Sequence, residues 1–151
     1  MKIAAQKIFW KKNNYIIEYM NKSMKIRESI DNKSGVTIFA ITGDLDFNEL
    51  ITFIITFYEQ SELNKSYLWN FRNIKGGDQI SIPQMGQLFK LCRKYFYRYP
   101  SQKISVLDAE HLGFGFTQVM SKFEELYEVY LNVRVFQDHE RAMEWIVRTP
   151  E

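Results

Sequence analysis

A chain of 151 residues, 46% hydrophobic and 25% charged, is long enough for one domain with a sizeable core and too apolar for a disordered chain. Its net charge of +2 is unevenly placed: the leader before Met24 holds five lysines against Glu18, a net +4, and residues 24–151 hold 15 basic and 17 acidic residues, a net −2. A mildly acidic body argues against a nucleic-acid surface, and the single Cys92 excludes an intrachain disulfide and any multi-cysteine zinc or iron–sulfur site.

A chain without a disulfide framework suits a reducing cytoplasm. No apolar run reaches the roughly 18 residues that span a bilayer, so no transmembrane segment is expected. The apolar "IFW" of the leader is cut short by Lys11 and Lys12, which spoils a signal peptide. Twelve Phe, nine Tyr and three Trp are more aromatics than a core of this size is expected to absorb, and point to an interface or an apolar pocket.

The leader, residues 1–23, has no clean period, and "NYIIEYM" suits a strand or a turn of helix. Its apolar residues Ile3, Ile8, Phe9, Trp10, Tyr15, Ile16 and Ile17 are expected to cover either their own domain or a second copy of the chain, the latter giving a homodimer. Met24 would serve equally well as a start. From there the domain, residues 24–151, begins with "MKIRESI", whose alternation predicts a strand with one buried face. "DNKSG" is a turn and "VTIFAIT", 36–42, a second, β-branched strand, so the pair predicts an antiparallel hairpin. "GDLD" breaks the strand. Asp46 and Glu49 predict the capped start of a helix over 47–60 with Leu50, Phe53, Ile54 and Phe57 inward.

"SYLWNF", 66–71, is a third strand. Ser81 before Ile82 and Pro83 predicts an N-cap, and the helix that follows puts Met85, Leu88, Phe89, Cys92 and Phe96 on one face. Its other face carries Lys90, Arg93, Lys94 and Arg98, a stripe that suits a solvated surface. "KISVLD", 103–108, is a fourth strand. A helix from about 114 to 130 buries Val119, Met120, Phe123 and Tyr127. In "VRVFQDHERAMEWIV", Val133, Val135 and Phe136 suit a last strand, Asp138 an N-cap, and Ala142, Trp145 and Ile146 one helical face, with Trp145 expected to be buried. The order ββαβαβαβα predicts an α/β domain with mostly parallel strands after the first hairpin.

With "ITGDLDFNELI" early, "YLWNFRNI" in the middle and the terminal Val135, Phe136, Asp138, Glu140, Ala142 and Trp145, residues 24–147 resemble the SpoIIAA-like family of small bacterial domains. The resemblance implies a STAS-like fold, similar to anti-sigma-factor antagonists, with a five-stranded mixed sheet flanked by helices. It implies little about activity, although some relatives by fold bind lipid or other apolar ligands. Anti-sigma antagonists present a phosphorylatable serine in a "DSSG"-like motif before the helix that follows the third strand. This chain has "QISIPQMGQ" there, so Ser81 is its one hydroxyl, and a capping role is favoured over a phosphosite.

The candidate chemistries are sparse. Cys92 falls on an apolar helix face and suits an inert core thiol. Asp108, Glu110 and His111 end the fourth strand at the carboxyl edge, where open α/β sheets bind ligands. With no second histidine nearby they are not expected to hold a metal. Gly113 and Gly115 could let backbone N–H groups meet an anion, but Gln118 stands where a dinucleotide fingerprint needs glycine. The sequence therefore predicts a non-enzymatic binding or regulatory module that needs no cofactor, with a carrier or sensor of a small ligand as the alternative and an uncharacterised enzyme third. Its partner is a protein or a small apolar or anionic ligand, held near Asp44, Asp108, Glu110, His111, Gly113 and Gly115.

Overall fold

The turn at residues 31–35 sets the first long-range pairing. The Asp31 carboxylate accepts from the Ser34 backbone N–H at 2.9 Å and from its hydroxyl at 2.6 Å. Gly35 closes the turn at φ 72°, a left-handed conformation that costs glycine little, and donates its N–H to the Asp31 carbonyl. Strands β3 (Met24–Ile30) and β4 (Thr37–Asp44) leave this turn as an antiparallel pair, with Ile26 opposite Ile41 and Glu28 opposite Phe39. The computed structural model describes residues 6–11, 14–20, 24–60, 66–76, 80–96, 102–107 and 133–148.

The leader extends this hairpin. Strands β1 (Gln6–Lys11) and β2 (Asn14–Met20) pair with each other, and β2 pairs with β3, all antiparallel. Beyond β4 the sheet turns parallel, through β5 (Tyr67–Lys75), β6 (Ile104–Leu107) and β7 (Val133–Phe136). The seven strands lie in sequence order. Strands β3 to β7 are the five-stranded mixed sheet expected of an α/β domain, and β1 and β2 widen it. Strand β5 runs four residues past "SYLWNF" into "RNIK". The helix expected at 114–130 lies outside the described residues, as do the side chains of the leader's apolar residues and those of Phe89, Cys92 and Phe96.

Helices cover both faces. Helices α1 (Phe47–Gln60) and α2 (Ile82–Phe96) occupy one. Asp46 caps α1, its carboxylate accepting from the Glu49 N–H at 3.1 Å. Leu50, Phe53 and Ile54 are buried, as their spacing predicts, and Phe57 is partly so. They meet Ile26, Phe39, Ile41, Tyr67, Trp69, Ile104 and Val106 from the sheet. Phe39, fully buried, is the hub of this cluster. Trp69 stacks on it with centroids 4.6 Å apart, and Phe53 and Phe57 meet it edge-on at 5.5 and 4.8 Å. The core absorbs Phe39, Phe53, Tyr58, Tyr67, Trp69, Phe71 and Tyr95 among the chain's many aromatics. Tyr95, also buried, stacks on Tyr58 at 4.4 Å and donates its hydroxyl to Glu59, so its polar end is satisfied.

Helix α3 (His139–Val147) covers the opposite face with Ala142 and Ile146, packed on Val36, Leu68 and Leu107. All four residues of β6 are buried, as suits a parallel strand covered on both sides.

Glu18 attaches the leader hairpin. It lies opposite Arg27 in the register and is only 5% exposed. One of its oxygens accepts from Arg27 Nη2 at 2.6 Å and Nε at 3.0 Å, and Lys25 Nζ stands at 3.2 Å. The Arg27 hydrogen bonds, aided by Lys25, outweigh burial and hold the Glu18 carboxyl below its usual 4.5. A carboxyl depressed in the folded state lends stability that is complete above its unfolded value and is lost as pH falls through the folded one. Glu18→Gln should therefore be less stable than the parent at neutral pH and should lose less stability on acidification below about pH 4.5. Urea midpoints across the acid range measure this, and parallel acid limbs for the two proteins would contradict it.

Candidate functional site

Alternation along β7 turns Val133 and Val135 toward the α1–α2 cluster, and Arg134 and Phe136 toward α3. The chain then reverses through Asp138, whose extended backbone and side chain cap α3 by accepting from the Arg141 N–H at 3.0 Å. Glu140 adds negative charge to the first turn. The last turn of α3 contains no basic residue. Lys103, just before β6, supplies one from the sheet. Its ammonium donates to the carbonyls of Trp145 at 3.1 Å and Arg148 at 2.5 Å. The Ser105 hydroxyl donates to the Ala142 carbonyl at 3.1 Å, and both residues are fully buried, so the helix lies close on the strand.

Trp145 departs from the sequence expectation. It is half-buried at the margin of the second cluster, not inside it; Ala142 and Ile146 are the residues that face the sheet. Helical spacing puts position 145 beside the buried stripe, where one edge of the large indole stays in water. Phe136 packs on the ring at 5.8 Å, and Lys103 and Arg134 each lie 5.3 Å from its centroid. These two cations fix the indole by cation–π attraction.

An open pocket of about 570 Å³ follows this flank of the domain, lined by Arg134, Phe136, Arg141, Glu144, Trp145, Val147 and Arg148. Arg141 and Glu144 share one face of α3 at i and i+3, Arg148 follows as its C-cap, and Arg134 joins them from β7. Among the described residues, none of the three arginines forms an ion pair with a carboxylate. Planar guanidinium forks not paired to a carboxylate are ready donors to an anion.

Of the residues expected to hold a ligand, Asp44 is exposed at the end of β4. Asp108, Glu110, His111, Gly113 and Gly115 lie outside the described residues. Among the described residues no group of three His, Cys, Asp or Glu side chains could hold a metal ion, and no helix is long and apolar enough to cross a membrane. The α2 stripe is partly engaged: Lys94 stands 3.8 Å from Glu59, and Lys90 is exposed. Arg98 lies outside the described residues. The arginine pocket was the part that sequence reasoning missed. Its signal was Arg141 and Arg148 two turns apart with Arg134 on the facing side of the last strand.

Ser81 caps α2. Its hydroxyl accepts from the Gln84 N–H at 3.2 Å, while the Gln84 side chain accepts from the Ser81 N–H at 2.9 Å, a reciprocal capping box. No known family model matches the chain, and no curated protein matches it.

The capping role makes a direct prediction. Ser81→Ala should cost about 1 kcal/mol, and Ser81→Asp should stay near the parent, because aspartate caps as well as serine. Denaturation midpoints of the three proteins measure this; an Asp variant as weak as the Ala variant would contradict it.

Proposed function

We propose that this chain is a non-enzymatic binding module of STAS-like architecture, and that it engages its partner through the arginine pocket between β7 and α3. The observation that carries the reading is the convergence of Arg134, Arg141 and Arg148, none of them ion-paired among the described residues, beside a fixed indole. The lining offers one acid, Glu144, and no nucleophile, which suits holding a partner better than transforming one. The antiparallel hairpin followed by parallel strands fits the SpoIIAA-like resemblance of residues 24–147, which supports the STAS-like assignment. A cytoplasmic setting belongs to the same reading, since a chain with one cysteine gains nothing from an oxidising compartment.

A second reading, a carrier of a small ligand, is favoured in its anionic form by the same guanidinium groups. The loops at the carboxyl ends of the strands, with Asp44 among them, remain its other candidate location.

Native mass spectrometry of the full chain and of the triple variant Arg134→Ala, Arg141→Ala, Arg148→Ala tests the proposal. The expected result is a species bound to the parent, released with its mass unchanged and missing from the variant. Conversion of that species to a product of different mass would contradict a non-enzymatic role. Equal occupancy in both proteins, or none in the parent, would contradict the pocket.

A further inference from the structure

We infer that the pocket between β7 and α3 recognises a phosphate monoester that carries an apolar organic group. The inference rests on the binding-module reading and adds the chemistry of the ligand. Three guanidinium groups face one carboxylate in the lining, which leaves two positive charges to be met. A carboxylate ligand brings one negative charge, whereas a phosphate monoester brings about 1.5 to 2 at neutral pH together with three strong acceptor oxygens. Arg141 approaches from the first turn of α3, Arg148 from its C-cap two turns on, and Arg134 from the neighbouring strand, so the donors arrive from different directions. That geometry suits a tetrahedral group with several oxygens better than a flat carboxylate, which two parallel N–H groups of one arginine already satisfy.

The apolar part of the ligand follows from the rest of the lining. Phe136, Trp145 and Val147 stand among the arginines, and Val147 is 53% exposed. A bare inorganic anion would leave these side chains in water. The pocket, at about 570 Å³, lies within the roughly 300–1,000 Å³ range of small-molecule sites. Its floor is prepared before binding. Lys103 ties the Trp145 carbonyl, and Lys103 and Arg134 both lie against the ring, so little side-chain freedom remains for the indole to lose.

Isothermal titration of the full chain with phenyl phosphate, inorganic phosphate and benzoate tests the inference. Phenyl phosphate should bind at least about tenfold more tightly than either of the others. Its affinity should fall about tenfold between neutral pH and about pH 5, as the phosphate regains its second proton with a pKa near 6. Arg141→Gln and Arg148→Gln should each weaken it about tenfold without changing the thermal midpoint, and Arg72→Gln, outside the pocket, should leave it unchanged. Benzoate binding as tightly as phenyl phosphate would overturn the dianion assignment, and inorganic phosphate doing so would overturn the apolar contact. No binding of phenyl phosphate at millimolar concentration, or binding indifferent to both arginine variants, would overturn the inference outright. A bound species in native mass spectrometry that depends on the arginines, alongside failure of phenyl phosphate, would reject the phosphate class and leave the binding-module reading in place.

Discussion

One ammonium group, that of Lys103, ties the end of the helix that bears the pocket to the sheet. The last turn of helix α3 holds no basic residue, and Arg148 follows it as the C-cap, so its terminal carbonyls look to donors outside the helix. Lys103 reaches across from just before β6 and donates to the Trp145 carbonyl in the last turn and to the carbonyl of the cap residue Arg148, a cation placed where it favours the negative end of the helix dipole by up to about 2 kcal/mol in a partly buried setting. The same side chain lies against the Trp145 ring. One residue thus meets both the end of the helix and the indole that lines the pocket.

The two halves of the sheet do different work. The antiparallel half, β1 to β4, is held partly by charge: Glu18 has little exposure and lies beside Arg27 and Lys25. Removing the two cations would leave the Glu18 carboxylate buried without a counter-charge, whereas Arg27 and Lys25, 51% and 38% exposed, would stay solvated without Glu18. The parallel half is held by packing. Phe39 gathers rings from α1 and β5, and Ala142 lets α3 settle onto β6, where any larger side chain would hold it off. The helix that bears the site therefore stands on the most completely buried strand among those described.

Much of this fold was legible in the sequence because local signals agreed with the global arrangement. Asp46, Ser81 and Asp138 each mark a helix start, and all three accept the backbone N–H three residues on. Alternation in "MKIRESI" and the "DNKSG" turn specify the first hairpin. The leader was harder, since its strands have no period that separates them from a helical turn, and Glu18 counts in the sequence only as a stray acid among lysines. Its partners Arg27 and Lys25 become neighbours only once the register is set. Trp145 departed from its expectation because helical spacing finds the centre of a buried stripe well and its margins poorly, and the indole is large with a polar edge; Tyr95, buried with its hydroxyl on Glu59, had no reading in the sequence at all. The pocket was hidden because surface arginines are ordinarily solvated, and only the return of α3 beside β7 brings Arg134 to the flank that bears Arg141 and Arg148.

The claim that a sheet lysine fixes the helix bearing the site is tested most directly by hydrogen exchange on Lys103→Met, which keeps the apolar stem and removes the donor. The account predicts that amides in the last two turns of α3 lose about tenfold in protection, roughly 1.4 kcal/mol, while α1 and α2 exchange as in the parent. Unchanged protection throughout α3 would contradict it.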